Sequence, residues 1–341
     1  MNQSARRRLW PKLLALTLFL GTVALGLVVW NFWDYLRTPG PTRGAQAIRV
    51  HIPAGSSLHQ IIEILAANGV ISQPDKFRYL VEWKGLSTRI QAGEFEFEPG
   101  MRPEEILAKL VAGQPVLHAL TVPEGYHLVQ IAGVLDQTGI WSGEQFLTLA
   151  RDPAFAASLG IPYSTLEGYL FPDTYKFPRS TPETEIIRAM FHRMEKEFPT
   201  EEAMRGLGLS RHQVLTLASI VEKETGRSEE RPLIASVFLN RLSRGMRLDS
   251  DPTVIYGLNH FNGNLTRQDL ETWTPYNTYR IAGLPPGPIA SPGHDAIQAV
   301  LHAPATNYLF FVSRGDGSHE FTQSYREHQQ AVDRYQRRAS R

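Results

Sequence analysis

From Leu13 to Trp33 the chain carries no charged side chain. As a helix, a run of about 21 residues rises about 30 Å, the thickness of a bilayer's hydrocarbon core. Arg6, Arg7, Arg8 and Lys12 precede it, and Trp30, Phe32, Trp33 and Tyr35 close it with an aromatic belt. A cleaved signal peptide shares the basic start, but it ends in small residues rather than bulky aromatics. The pattern therefore predicts a basic cytoplasmic tail over residues 1–12 and a retained transmembrane helix over residues 13–35. A Pro/Gly-rich linker follows over residues 36–46, and the positive-inside rule exports the remainder.

Beyond the linker the spacing of apolar positions changes. Ile48-Arg-Val-His-Ile52 alternates as a strand, and Leu58 to Ala67 steps as a helix that stops at Asn68-Gly69. Pro74 to Trp83 reads as a second helix, Glu94-Phe-Glu-Phe97 as a strand, and Pro103 to Val111 as a helix with proline in its first turn. The pattern then recurs. Ile52-Pro-Ala-Gly-Ser-Ser-Leu-His-Gln-Ile61 aligns with Val122-Pro-Glu-Gly-Tyr-His-Leu-Val-Gln-Ile131, and Phe97 with Pro103-Glu-Glu-Ile106 aligns with Phe177 with Pro182-Glu-Thr-Glu-Ile186. A duplicated β-α-α-β-α module accounts for this; two unrelated βα turns that both use Pro-x-Gly are the simpler alternative.

Each copy opens in a way that resembles a LysM wall-binding repeat, through Gly55-Ser-Ser-Leu58 and Ile61 in the first. The second copy has Tyr126 and His127 where that family usually has hydroxyls. The expected fold class is α+β: one N-terminal transmembrane helix, a LysM-like module over 47–116, then a mixed catalytic domain over 117–341 that begins with the diverged copy.

The next helical run, Arg211 to Thr225, has Ser210 as its expected N-cap. At about 100° per residue, Val214, Leu217, Ala218 and Val221 form one buried stripe, with Lys223 facing solvent. Glu222 and Glu224 fall on opposite shoulders, so both carboxyls are expected to be half-buried. Burial raises a carboxyl pKa, which is what a general acid needs near neutrality. Helical geometry does not rank the two, and ion pairs with Arg231 or Arg241 would make either one structural. Ser219, one turn earlier, is placed to hydrogen-bond Glu222. Downstream, Met246 to Gly257 sets two acids, a Thr and a Tyr around a turn, and Pro275 to Gly293 reads as a long irregular loop rich in Tyr, Asn and Thr.

Composition narrows the chemistry. The chain has 341 residues, and 35 Lys and Arg nearly balance 34 Asp and Glu, so no global field points to nucleic acid. The absence of cysteine removes thiol catalysis and Cys-based metal sites. No His-Glu-x-x-His run occurs, so neither a metal nor a cofactor is expected.

Taken together, the segments Leu166-Glu-Gly-Tyr-Leu-Phe-Pro-Asp-Thr-Tyr175, Ala218-Ser-Ile-Val-Glu-Lys-Glu-Thr225, Ser236-Val-Phe-Leu-Asn-Arg-Leu242, Asp251-Pro-Thr-Val-Ile-Tyr-Gly257, Tyr276-Asn-Thr-Tyr279 and Gly283-Leu-Pro-Pro-Gly-Pro-Ile289 resemble the membrane-anchored, YceG-like endolytic murein transglycosylases. The resemblance implies that Glu222 is catalytic, as acid and then base, and that Glu224 orients the helix or binds glycan. It also implies substrate contacts among Glu167, Asp173, Asn240, Arg241, Asp251, Thr253, Tyr256, Tyr276, Asn277 and Thr278. Implied partners are peptidoglycan strands, the cytoplasmic membrane through residues 13–35, and peptidoglycan synthases. The alternatives are a hydrolytic muramidase, with Asp251 or Asp173 as the second carboxylate, and a non-catalytic wall-binding scaffold.

Overall fold

A computed structural model describes residues 3–40, 46–198, 204, 206–258 and 260–337, with side chains from residue 13 onward. The basic side chains before Leu13 and residues 41–45 of the linker lie outside the described residues. The chain divides into two compact units, residues 1–118 with 178–180, and residues 119–177 with 181–341.

The first unit begins with α1 (Gln3–Arg37). Within its segment Leu13–Arg37 an 18-residue stretch has a mean hydropathy of 2.4, and the segment is long and apolar enough to cross a membrane. From Leu13 to Trp30 its side chains are exposed. Only the last turn is covered, where Tyr35 and Leu36 join the core built by the following elements. These are β1 (Ile48–Ile52), α2 (Leu58–Ala67), α3 (Pro74–Trp83), β2 (Gly93–Phe97) and α4 (Pro103–Ala112). β1 and β2 pair antiparallel from Ile48↔Phe97 to Ile52↔Gly93, so Val50, Ile52, Phe95 and Phe97 face inward. Ser57 caps α2 reciprocally with Gln60. Each of these five elements matches its sequence expectation to within a residue at either end, whereas α1 starts ten residues before the expected transmembrane run. The strand–helix–helix–strand order is as far as the likeness to a LysM repeat extends.

The second unit repeats that order through β3 (Leu117–Thr121), α5 (Leu128–Gln137), α6 (Gly143–Ala150), β4 (Thr174–Pro178) and α8 (Glu183–Glu197), with the short α7 (Pro153–Ser158) inserted. β3 pairs with β4. Then come α9 (Arg211–Glu224), a 3-10 turn at Ser228–Glu230, α10 (Arg231–Ser243), α11 (Asp251–Gly257), α12 (Arg267–Glu271) and α13 (His294–Leu301). An antiparallel hairpin, β5 (Phe310–Ser313) and β6 (His319–Thr322), and α14 (Tyr325–Val332) complete it. The stretch expected to be a turn after Met246 is instead partly helical, as α11, with Pro252 in its first turn.

α9 lies at the centre of this unit and packs against α10 and α13. Ser210 caps it as expected, through Gln213. The expected single stripe is too narrow, because every residue from Val214 to Val221 is buried. The polar members tolerate this by bonding back into the helix. The Thr216 hydroxyl donates to His212 O at 2.7 Å, and that of Ser219 to Thr216 O at 2.7 Å. Ser219 also accepts from Ile289 N at 3.0 Å. Its hydroxyl thus holds the downstream loop, and the expected bond to Glu222 is not made.

Candidate active site

The two acids at the end of α9 have different surroundings. Glu222 is half-buried as a residue, but its side chain is only 5 % exposed. Arg231, at the start of α10, donates from Nη2 to Glu222 Oε1 at 2.7 Å. Gly293, just before α13, donates its backbone N–H to Oε2 at 3.0 Å. Burial raises the Glu222 carboxyl above its ordinary value, against the opposing pull of Gly293 and Arg231. Arg231 is shared: Glu124 Oε2 and Asp295 Oδ2 each lie 3.7 Å from its guanidinium. One guanidinium among three carboxylates leaves the cluster acidic, and the Glu124 charge adds to the upward shift.

Glycines let the backbone close around this cluster. At Gly125 φ is +73°, and a Cβ there would meet Lys223 Cδ at 3.4 Å and Glu222 Cγ at 3.6 Å. At Gly293 a Cβ would lie 2.0 Å from Glu124 Oε1. The strap is tied on both sides, Gly125 N to Ser291 O at 2.9 Å and Ser291 N to Tyr126 O at 2.8 Å.

Glu224 has no such opening. Its carboxyl accepts from Ser250 Oγ at 2.5 Å and burial pushes it up to about 7. Ser250 is in turn held by Thr278, whose Oγ1 accepts from Ser250 N at 3.0 Å and meets Thr253 Oγ1 at 2.8 Å. The environment thus assigns Glu224 to an internal polar clasp.

The remaining sequence candidates separate the same way. Asn277 donates to Leu270 O at 3.1 Å and Thr272 O at 2.6 Å, Asn240 to Thr306 O and Tyr308 O, both at 2.9 Å, and Arg241 to Leu309 O and Leu248 O, both at 2.7 Å. Arg241, Thr253, Asn277 and Thr278 are buried. With Asn240, they spend their polar atoms inside the protein. Asp251 accepts from Tyr279 OH at 2.7 Å, and Asp173 from Arg193 Nε at 3.0 Å. Such pairing leaves neither as an idle second carboxylate.

Glu167, Tyr256 and Tyr276 do come together, on the wall of a cleft of about 810 Å³ that also meets Gly125 and Lys223. Glu167 accepts from Leu128 N at 3.1 Å, at the start of α5, and from Tyr256 OH at 3.1 Å; burial pushes it up to about 7. The Tyr256 and Tyr276 rings stand edge-to-face at 4.8 Å. Glu222 is set behind Gly125 and Lys223 at the edge of this cleft. The sequence reading passed over Arg231 as a mere ion-pair partner and gave no site role to Glu124, Gly125, Asp295 or Gly293. Only the Pro-Glu-Gly of the second repeat marked that strap.

A buried carboxyl beside a cleft walled by aromatic rings is a setting that enzymes acting on sugar polymers use. The chain belongs to the YceG-like family, whose model matches residues 50–334. It is similar to a Bacillus subtilis protein named endolytic murein transglycosylase, at 36 % identity over 307 residues and 84 % of each chain. Streptococcus pneumoniae proteins of that name are 33 % identical over 78 % of this chain, which spans 54 % of their length. A crystal structure of a yceG-like protein from Listeria monocytogenes superposes with a TM-score of 0.59 at 34 % identity, covering 84 % of this chain and 99 % of that one.

Proposed function

We propose that this protein is an endolytic murein transglycosylase, a lyase that cuts peptidoglycan strands internally, anchored by residues 13–35 with its second unit on the outer side of the cytoplasmic membrane. Family membership supports the activity, and the exposed apolar face of α1 supports the anchor. The catalytic group is Glu222. Its protonated carboxyl gives its proton to the oxygen of the MurNAc–GlcNAc bond as the anomeric C–O bond breaks. The carboxylate then takes the proton of the C6 hydroxyl of the same MurNAc. That oxygen closes on the anomeric carbon, leaving a 1,6-anhydro end; no water is consumed and Glu222 regains its proton.

The observation that carries this reading is the double contact to Glu222, one oxygen on Arg231 and the other on the Gly293 N–H. These donors hold the carboxylate after it has given up its proton, while burial holds the proton beforehand. The two carboxylates expected to serve a hydrolytic muramidase as the second group, Asp251 and Asp173, are instead bonded to Tyr279 and Arg193. Mass spectrometry of the products from purified glycan strands tests the assignment. Wild type is expected to yield anhydro ends, and Glu222→Gln to fold and bind strands with activity down by roughly a thousandfold or more. Reducing ends would favour the hydrolase, and a Glu222→Gln protein that still cleaves would remove the residue from the chemistry.

A further inference from the structure

The transglycosylase reading accounts for Glu222 and for aromatic walls, but not for the charge of the cleft. A glycan backbone is neutral, yet the cleft's lining includes the cations Arg151 and Lys223 against a single acid, Glu167. Glu167 is 4 % exposed and commits its oxygens to Leu128 N and Tyr256 OH. Arg151 and Lys223 are exposed, and neither forms an ion pair among the described residues. Lys223 Nζ donates only to Gly125 O, at 3.3 Å. Each cation sits at a helix C-terminus, Arg151 capping α6 and Lys223 in the last turn of α9, where the helix dipole favours positive charge without a carboxylate partner. Both charges therefore remain available to a ligand, in a cleft whose edge adjoins the proposed catalytic acid.

We infer that the cleft contains an anion subsite in which Arg151 and Lys223 hold a carboxylate borne by the glycan strand. Two sources carry that chemistry: the lactyl carboxylate of muramic acid freed of peptide, and the carboxylates of an attached peptide stem. Because Lys223 and Glu222 both flank Gly125, where a Cβ would lie 3.4 Å from one and 3.6 Å from the other, a carboxylate on Lys223 fixes the muramoyl residue near the cleaved bond and so sets the register of the strand. The inference rests on the glycan-cleaving reading, so its test is one of binding and is independent of the bond chemistry.

The test uses the full chain in detergent with Glu222→Gln as parent, compared with the same chain carrying Arg151→Gln and Lys223→Gln, folding being checked by circular dichroism. Three probes are titrated: a neutral chito-oligosaccharide, strands trimmed of peptide by an amidase, and strands with peptide stems. The expected result is roughly tenfold weaker binding of a carboxylate-bearing probe, equivalent to about 1.4 kcal/mol, with chito-oligosaccharide affinity unchanged. Weakening for the trimmed strands alone identifies the lactyl group, which is an uncharged amide wherever a stem is attached; weakening for stem-bearing strands alone identifies the stem, and weakening for both shows that the subsite takes either carboxylate. Lys223→Arg should restore most of the loss. Equal weakening for all three probes, or none, overturns the subsite. Failure of the parent itself to bind any glycan would instead sink the proposed function.

Discussion

At the scale of single residues, charge around Glu222 sets when it holds its proton. Activity that begins with a protonated Glu222 declines as pH rises through its pKa, which is the alkaline limb of the rate profile. Glu124 raises that pKa and Arg231 lowers it. Glu124→Gln is therefore expected to move the alkaline limb to lower pH, by roughly half a unit or less because the side chain is 47 % exposed and screened. Arg231→Met should move the limb to higher pH, with slower turnover because the carboxylate loses its strongest donor. Shifts of opposite sign in kcat against pH check the pair, and identical profiles would remove both residues from control of the proton. Glu224 titrates to a different effect. Its folded value of about 7 lies above the ordinary 4.5, so between those values the folded chain binds the extra proton. Its contribution to stability is complete below pH 4.5 and disappears as pH rises through 7, by up to about 3 kcal/mol. Urea titrations at pH 5 and pH 8 should show the wild type losing stability at the higher pH, and Glu224→Gln losing less of it.

Elements show where sequence patterns inform and where they stop. The elements of the first unit from β1 to α4 were legible to within a residue because their apolar spacing is local and their ends carry Pro, Gly or a capping box, whereas α1 begins ten residues before the apolar run that marked it. α9 was legible as a helix, but its burial on all sides was not. A helical wheel treats Thr216 and Ser219 as polar, and only the structure shows their hydroxyls turned back onto helix carbonyls. The site was half legible for the same reason. Glu222 lies on a recognisable helix and Arg231 opens the next one, whereas Glu124, Asp295 and the Gly293 N–H join the cluster from segments far apart in sequence. Asn240, Asn277 and Thr278 drew attention as polar residues in matching segments, yet they serve to anchor loops. Between Glu167 and the cleft wall, the turn at Gly168 is a sharp test of this scaffolding. Its φ is +78° and a Cβ would lie 2.3 Å from Pro288 Cβ. Gly168→Ala should lower the melting temperature by about 5–10 °C, read by calorimetry, as expected for a loss of about 3 kcal/mol in a unit of this size.

At the scale of the whole molecule, the proposed anchor and the first unit's core share one helix. Tyr35 and Leu36 are buried in that core while the residues before Trp30 are open. Truncation to begin at Asn31 is expected to release the protein from membranes and keep its stability. Truncation to begin at Arg37 should release it too, but lower its thermal midpoint, because two buried side chains are lost. Fractionation and thermal melts on the two chains distinguish these outcomes, and equal midpoints would show that the last turn of α1 adds nothing to the core.

The stretch 272–293, which contains no helix or strand, is secured at Asn277 through Leu270, at Pro286 through His212, at Ile289 through Ser219, and at Ser291 through Tyr126. Its conformational freedom is thus already spent when the protein folds. A polysaccharide is a flexible chain, and on reaching this wall it alone has to give up its disorder. Each further sugar that touches the wall then adds attraction without asking the protein to rearrange. Affinity should accordingly climb steadily with strand length, which turns a rigid loop into a ruler for the polymer.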